Sequence, residues 1–466
     1  PARRLLMVAY FYPPVGGLGA AGAQRVLKFA KYLPAAGWRP VILTVKATAY
    51  EPYLALDPTL LSRVPAGLPT VRTGVLRGLT PLLSLQGRLK ARLRGRPPAA
   101  PAAAAAPANG ARPRGLAALK DLLTECFEIP DEEMGWLLPG VLAGLRAARR
   151  HRVDAVWATG RPWSGLLIGW AVARLTGRPL VTDFRDPWMT NPFRPAYSPV
   201  KERAEARLER LVVEGSALVV ANTEHLRDEF RARFPGQPAA KFTALLNGYD
   251  PDDFPAVGPR GRGAALTLTH TGFLYGKRDP RTFLEAVRRA LASGAVPAAG
   301  LRVRFVGPAE LPYAPAARAA EAGLQDVVTF EGRVSFAESL ARIGEAEALL
   351  LLQPGTTTQV PSKLFEYIGM GKPILALSPP GGATARLVAE EGLGEVADPE
   401  DVPAIAEALR RLYLAWAEGR LPVPGPAVRR KFNVTHLTGI LAGHLDGLLA
   451  AVSRNGRPAW TQDPIA

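Results

Sequence analysis

Apolar runs and amphipathic stretches alternate along most of the chain. Runs of strand length, such as RPVILTV at 39–45 and LRVRFVG at 301–307, are separated by stretches with helical spacing, such as AQRVLKFAKYLPAAG at 23–37. Strand, helix and strand in this order are typical of parallel sheets with right-handed crossovers. The alternation runs in two series, the second starting near residue 264. It predicts an α/β protein with two doubly wound sheets.

The pattern also predicts where the individual elements lie. In the first series we expect strands at 3–12, 39–45, 153–159, 178–184 and 217–222, with helices at 23–37, 163–175 and 200–214. In the second we expect strands at 265–272, 301–307, 327–332, 347–353 and 392–398, with helices at 279–293 and 433–452. The stretch VPSKLFEYIGMGKPILAL, residues 360–377, predicts a helix that starts after a proline and leads into a strand.

A chain of 466 residues exceeds the size at which single cores stop growing. We therefore predict an N-terminal domain at 1–250, a C-terminal domain at 251–432, and a final helix within 433–466 that crosses back to the first domain. The first domain contains a basic and Pro/Ala-rich excursion at about 76–115, whose low complexity disfavours packing.

Composition and cysteine content place few further limits. The chain is 48% hydrophobic and 21% charged, as in ordinary globular proteins. Its longest apolar runs are too short to span a bilayer, and RRLLMVAYFY is typical of a first strand rather than a signal peptide. The single cysteine, Cys126, forms no intramolecular disulfide and belongs to no cysteine cluster. We expect a cytoplasmic protein.

The net charge is unusual. It is +17, and residues 58–120 contain 11 Lys/Arg and no Asp or Glu. Such a charge favours nucleic acid or an anionic membrane surface, unless arginine serves only solubility. The segment at 76–96 mixes leucine with basic residues, as in an amphipathic helix lying on lipid or an ordinary covering helix. A nucleic-acid site is disfavoured because the chain lacks interleaved aromatics and known binding motifs. We expect peripheral binding to the inner face of the plasma membrane.

Glycines follow the first predicted strand, where open α/β sheets bind ligands. Gly16, Gly17, Gly19 and Gly22 would let the backbone approach a phosphate or sugar at the start of the next helix. The last three match the spacing of a dinucleotide site, but the second strand runs into Lys46 instead of an acid. A nicotinamide enzyme is therefore disfavoured, and a plain tight loop remains an alternative.

Charged residues end another strand of the first series. DFRDPWM at 183–189 holds Asp183, Arg185 and Asp186, which are too costly to bury unpaired. They either pair with one another or face a polar ligand, and the strand-end position favours the ligand. Ser164, in the neighbouring ATGRPWSG, either lines the same site or belongs to a helix start.

The second series carries cations at matching places. Gly272 ends a predicted strand, and Lys277 and Arg278 precede the next helix, where two cations would clamp a diphosphate. Lys363 and Glu366 lie one turn apart on one helical face. Glu366 would accept hydrogen bonds from a ribose diol, and Lys363 would reach a phosphate. The alternatives are a solvated loop and a surface ion pair.

Several of these segments together resemble a known family. The chain is similar to family 4 glycosyltransferases of the GT-B fold, in which two Rossmann-like domains face a cleft. The resemblance rests on YPPVGG with the glycines after it at 12–25, TGRPWS at 159–164, DFRDPW at 183–188, NGYD at 247–250 and KLFEYIGMGKPILA at 363–376.

The resemblance implies a retaining transferase that uses a nucleotide-diphosphate sugar. It implies that Gly16 and Gly17 approach the donor phosphates and the acceptor, with Gly19 in the same loop. Lys277 and Arg278 would contact the diphosphate, and Glu366 the ribose. The acceptors of such enzymes include lipids, lipid-linked oligosaccharides, polysaccharides and small molecules.

Catalysis in such an enzyme depends on charge at the leaving diphosphate. With Lys277, Arg278 and Lys363 supplying that charge, we expect no metal and no cofactor. Asp186 or Asp183 would orient the acceptor hydroxyl.

Three positions depart from the family pattern. Thr358 stands where many members have the first of two glutamates, Arg185 where a histidine is common, and Phe273 where an arginine is common. These departures leave the donor sugar open and keep a degenerate, merely nucleotide-binding protein as an alternative.

Overall fold

The computed structural model of the chain describes residues 2–16, 20–76, 125, 128–192, 194–254 and 263–455. These residues form two compact units. The first consists of the described residues of Pro1–Ala221, Phe230–Thr243 and Ala442–Ala466, and the second of those of Asn222–Glu229 and Ala244–Leu441. Gly17, Gly19 and residues 77–115 of the basic and Pro/Ala-rich excursion lie outside the described residues.

The first unit is built on a seven-stranded sheet with the order β3-β2-β1-β4-β5-β6-β7. Strands β1 to β6 pair in parallel. The strands are β1 Arg3–Val8, β2 Trp38–Val45, β3 Thr70–Thr73, β4 Ala155–Gly160, β5 Leu180–Phe184, β6 Leu218–Ala221 and β7 Phe242–Ala244. The helices that begin in this part of the chain are α1 Ala20–Tyr32, α2 Leu137–His151, α3 Trp163–Thr176, α4 Pro199–Gly215 and α5 Glu224–Arg233.

The second unit is built on a six-stranded sheet with the order β12-β10-β8-β13-β14-β15, beside a small β11-β9 pair. The strands of both sheets pair in parallel. The strands are β8 Leu266–Thr271, β9 Leu274–Tyr275, β10 Leu301–Val306, β11 Ala309–Glu310, β12 Val328–Glu331, β13 Ala348–Leu352, β14 Ile374–Leu377 and β15 Gly394–Ala397. The helices are α6 Arg281–Ala292, α7 Pro315–Glu321, α8 Phe336–Glu345, α9 Ser362–Gly369, α10 Ala383–Glu390, α11 Val402–Ala417, α12 Pro426–Lys431 and α13 Val434–Asn455. The predicted α/β class with two parallel sheets is confirmed.

Two predicted elements end earlier than expected, each for a local reason. Strand β1 ends at Val8 because the carbonyl of Tyr10 accepts hydrogen bonds from the hydroxyls of Thr44 and Tyr50, both at 2.9 Å. Helix α1 ends at Tyr32, and a short 3-10 turn, Leu33–Ala36, follows with Pro34 at its start. A proline lacks the N–H that a continuing helix requires.

The stretch 360–377 forms the predicted helix and strand. Pro361 precedes α9, and Gly371 follows it in the left-handed region with φ +66°, after which the chain enters β14. One face of α9 is buried in the core of the second unit. The half-buried Lys363 and Glu366 lie on the other face, near the C-terminal end of the sheet.

Candidate functional site

The glycine turn after β8 holds a lysine. Gly272 has a φ of +132°, and a Cβ at this residue would collide with the Nζ of Lys363. The ammonium of Lys363 therefore lies against the backbone of the turn, at the C-terminal end of β8. Only a glycine provides both this backbone conformation and this space.

The surroundings of Lys363 lower the pKa of its ammonium group. Burial, and after it the neighbouring Arg278, lower the pKa of Lys363 to about 8, although the carboxylate of Glu366 opposes both effects. Glu366 follows one turn later in α9 and is half-buried. Lys363, Arg278 and Glu366, three of the residues singled out in the sequence, are therefore neighbours.

Lys277 and Arg278 face the segment that follows β13. The Nη2 of Arg278 donates a hydrogen bond of 3.2 Å to Oε1 of Gln353. The side chain of Lys277 lies over Gly355, with its Cδ and Nζ 2.5 and 3.2 Å from the position that a Cβ there would take. The structure thus brings the three predicted cations to the ends of β8 and β13, which are neighbours in the sheet.

A buried histidine beside these cations was missed in the sequence. His270 is 1% exposed, its Nδ1 lies 3.0 Å from the carbonyl oxygen of Leu350, and its Nε2 has no hydrogen-bond partner in the described part of the chain. This geometry assigns the proton to Nδ1. Burial, with Lys363 and then Arg278, lowers the pKa of His270 to about 3. The imidazole is therefore neutral, and it lies close enough to Lys363 and Arg278 to sense their charge.

In the first unit, Asp183 forms a buried ion pair with Arg25. It is 0% exposed, and its carboxylate accepts hydrogen bonds from Nε and Nη2 of Arg25, the shortest being 2.7 Å. The hydroxyl of Thr159 donates to it at 2.8 Å. The expectation that Asp183 orients an acceptor is corrected here, because both carboxylate oxygens are already bonded inside the protein.

Arg185, directly after β5, forms hydrogen bonds with the backbone at the end of β4. Its Nε donates to the carbonyl of Gly160 at 2.9 Å, and its Nη2 donates to the carbonyl of Arg161. The guanidinium also lies over Gly22, where a Cβ would collide with Nη1. Burial lowers the pKa of Arg185, and the nearby Asp186 opposes this effect. Asp186 is half-buried beside the guanidinium.

The glycine loop after β1 was predicted to bind a phosphate. Of Gly16, Gly17 and Gly19, the structure describes Gly16 alone, and this residue differs from the prediction. The N–H of Gly16 donates to the carbonyl of Ala55 at 2.8 Å. That donor is therefore used inside the protein and is not directed at a phosphate. The corresponding predictions for Gly17 and Gly19 fall outside the described residues.

Acidic residues before α2 were also missed in the sequence. Asp131 accepts a hydrogen bond of 2.9 Å from the N–H of Ser164 and another from its hydroxyl, which caps the start of α3. Ser164 therefore belongs to a helix start. Burial raises the pKa of Glu133 to about 8, and Asp131 and then Glu132 add to the effect. Asp131 lies 33 residues from its partner, so no local pattern marks this cap.

The described part of the chain shows neither a cluster of metal ligands nor a membrane-spanning helix. Its residues contain no group of three His, Cys, Asp or Glu side chains placed to hold a metal ion. The helices described here do not combine the length and apolarity that crossing a bilayer requires.

Two family models match the chain in succession. The Glycosyl transferase 4-like domain matches residues 21–248, and Glycosyl transferases group 1 matches residues 265–414. A search among curated proteins finds no match.

Solved structures resemble the chain over nearly its full length. HepE from Anabaena, in complex with UDP, is 15% identical with a TM-score of 0.57, and the match covers 96% of this chain and 100% of that one. Sucrose-phosphate synthase from Thermosynechococcus elongatus is 17% identical with a TM-score of 0.60, over 96% and 100%. WaaG, a glycosyltransferase involved in lipopolysaccharide biosynthesis, is 16% identical with a TM-score of 0.53, over 95% and 100%. At these identities the likeness shows the fold, and the family models carry the assignment. The chain belongs to the family 4-like glycosyltransferases and has their GT-B fold.

Proposed function

We propose that this glycosyltransferase takes its sugar from a nucleotide-diphosphate sugar and transfers it, with retention of configuration, to a hydroxyl group of a lipid-linked or polysaccharide acceptor. The observation that carries the proposal is the convergence of Lys277, Arg278 and Lys363 at the ends of β8 and β13. Open α/β sheets bind ligands at this end. Three cations together match a diphosphate far better than they match a neutral ligand.

Each residue of this group has a role in donor binding. Lys363 and Arg278 bind the diphosphate, whose charge offsets the effect by which Arg278 lowers the pKa of Lys363. Lys277 binds the diphosphate on its sugar side. Glu366 accepts hydrogen bonds from the ribose hydroxyls. The UDP complex of HepE, a protein with the same fold, supports a nucleotide site.

The transfer step places charge where the cations lie. The bond between the anomeric carbon and the diphosphate oxygen breaks, and the negative charge grows on the leaving diphosphate. Preorganised cations stabilise that charge without rearranging. The acceptor oxygen then bonds to the anomeric carbon on the same face of the sugar, and its proton passes to the diphosphate. Asp186 orients the acceptor hydroxyl, and the reaction as proposed uses no metal ion and no cofactor.

The acceptor belongs to the cell envelope in this proposal. WaaG acts in lipopolysaccharide biosynthesis, and the chain carries a net charge of +17 that suits an anionic lipid surface better than a neutral one. The protein would work at the inner face of the plasma membrane, with no nucleic-acid partner. Sedimentation with anionic vesicles at low and high salt tests this part, and no binding at either salt concentration refutes it.

Donor binding is tested by thermal shift and calorimetry with UDP, GDP, TDP and ADP and their sugars. A ligand that binds only the folded state raises the unfolding midpoint. We expect one nucleotide to bind to the wild type and to lose most of its affinity in Glu366→Ala. Glu321→Ala is the matched control, because Glu321 forms an exposed ion pair with Arg318 on α7. A shift with NAD alone would contradict the proposal.

A further inference from the structure

Hydroxyl groups without partners lie at the C-terminal edge of the second sheet. Thr356 is 4% exposed, and its hydroxyl and that of Thr358 are buried without a hydrogen-bond partner in the described part of the chain. The hydroxyl of Ser378, directly after the neighbouring strand β14, is in the same state at 0% exposure. Buried polar groups are normally bonded, so each of these three hydroxyls lacks a partner that a ligand would supply.

The backbone of the threonine segment, residues 355–359, is by contrast well bonded. Three consecutive carbonyls accept hydrogen bonds: Thr357 from the N–H of Ala383 at 2.7 Å, Thr358 from the hydroxyl of Thr223 at 3.1 Å, and Gln359 from the hydroxyl of Thr384 at 2.9 Å. The segment is therefore held in place by its main chain, and the threonine hydroxyls take no part in holding it.

A cation accompanies these hydroxyls, and the segment itself contains no acid. Residues 353–360 read QPGTTTQV. Lys277 lies over Gly355, whose φ of +76° and short distance to the lysine leave no room for a side chain. Lys363, in contrast, lies at Gly272. Lys277 thus lies against the threonine segment, whereas Lys363 lies against the turn after β8.

We propose that the donor sugar carries a carboxylate, which makes the donor a nucleotide-diphosphate uronic acid. Hydroxyls both donate and accept hydrogen bonds, and so they match the hydroxyls of a sugar ring. The ammonium of Lys277, which is placed on the sugar side of the diphosphate, also matches a sugar carboxylate, which an acid in this segment would repel. The inference rests on the proposed function, because it specifies the sugar of the donor placed at this site.

Matched pairs of donors test the inference by calorimetry on the full chain. The pairs are UDP-glucuronate with UDP-glucose and GDP-mannuronate with GDP-mannose, with UDP and GDP alone as references. We expect the uronate of the nucleotide that binds to have at least a fivefold lower Kd than its neutral partner. Thr358→Glu is expected to remove this preference, while the free nucleotide diphosphate still binds. Thr358→Val, of similar size and without charge, keeps it.

The outcomes separate this inference from the proposed function. If the free nucleotide diphosphate binds but the uronate binds no more tightly than the neutral sugar, the inference is overturned and the donor site stands. If Thr358→Glu folds, binds the nucleotide and still prefers the uronate, the threonine segment does not recognise the sugar carboxylate, and the inference is again overturned. If no nucleotide diphosphate binds to the wild type, the proposed function fails together with it.

Discussion

The ammonium of Lys363 occupies the space that a side chain at Gly272 would fill. The two residues lie at the ends of different elements, the lysine in the first turn of α9 and the glycine directly after β8. The turn therefore fixes the position of the lysine, and any larger residue at 272 must displace it. This relationship couples the backbone of β8 to the charge of the proposed diphosphate site.

Gly272→Ala is expected to weaken nucleotide-diphosphate binding at least tenfold, because the new methyl group pushes the ammonium of Lys363 aside. It also carries a backbone penalty of roughly 1 kcal/mol at its left-handed φ. Gly323→Ala is the matched control, with a φ of +71° and nothing within 4 Å of its Cβ position. Calorimetry and thermal unfolding of both variants separate the two effects. Equal loss of affinity in both would contradict the prediction.

The affinity for the nucleotide diphosphate is expected to fall as pH rises through about 8, the pKa of Lys363. The ligand favours the charged ammonium, so affinity is retained below this pH and is lost as the lysine deprotonates. Between pH 7 and pH 9 we expect a loss of about tenfold. Lys363→Arg keeps its charge throughout, so its titration curve is expected to be flat over this range. A wild-type curve parallel to that of Lys363→Arg would show that Lys363 does not titrate in the site.

The same lysine affects folding in the free protein with the opposite sign. Its pKa is depressed from 10.5 to about 8, so between these values the unfolded chain holds a proton that the folded chain has released. The free energy of unfolding contributed by Lys363 therefore rises with pH across this window. Comparison of Lys363→Met with the wild type in urea, at pH 7.5 and pH 10, measures it. The stability difference between the two proteins is expected to move in favour of the wild type at the higher pH.

Removing one partner of the buried pair Arg25–Asp183 is expected to be strongly destabilising. Asp183→Ala leaves the guanidinium of Arg25 buried and uncompensated, at a cost of about 3–5 kcal/mol. The control is Glu214→Gln, which breaks the exposed pair with Arg210 and costs less than about 1 kcal/mol. Thermal unfolding of both variants checks the difference. Two similar midpoints would show that the buried pair contributes no more than a surface pair.

Much of the fold and part of the site followed from local sequence patterns. The two parallel sheets were predicted because strands buried on both faces read as apolar runs of strand length. The convergence of Lys277, Arg278 and Lys363 was predicted because parallel strands end at the same edge of a sheet. Both conclusions depend on sequence periodicity and on no particular side-chain contact.

The remaining features depend on partners that no local pattern reveals. Arg25 and Asp183 are 158 residues apart, so the sequence does not show that they pair. Without a known partner, Asp183 was interpreted as a residue that contacts a ligand. The N–H of Gly16 donates to the carbonyl of Ala55, and nothing in the sequence around Ala55 indicates such a contact. The unused Nε2 of His270 becomes visible only when the bond from Nδ1 and the surrounding burial are known.

Asp186 is the strand-end acid on which the proposed acceptor site depends. It lies beside the guanidinium of Arg185, and unlike Asp183 it is half-buried. Asp186→Asn keeps the size of the side chain and removes the charge that orients the acceptor hydroxyl. We expect kcat for nucleotide-diphosphate release, with a membrane fraction as acceptor, to fall about a hundredfold. The Kd of the donor is expected to stay the same, because the donor site lies among residues of the second sheet. Asp228→Asn, which breaks an exposed pair with Arg227, is the control and is expected to leave both constants unchanged. Full kcat and an unchanged acceptor KM in Asp186→Asn would remove Asp186 from the mechanism.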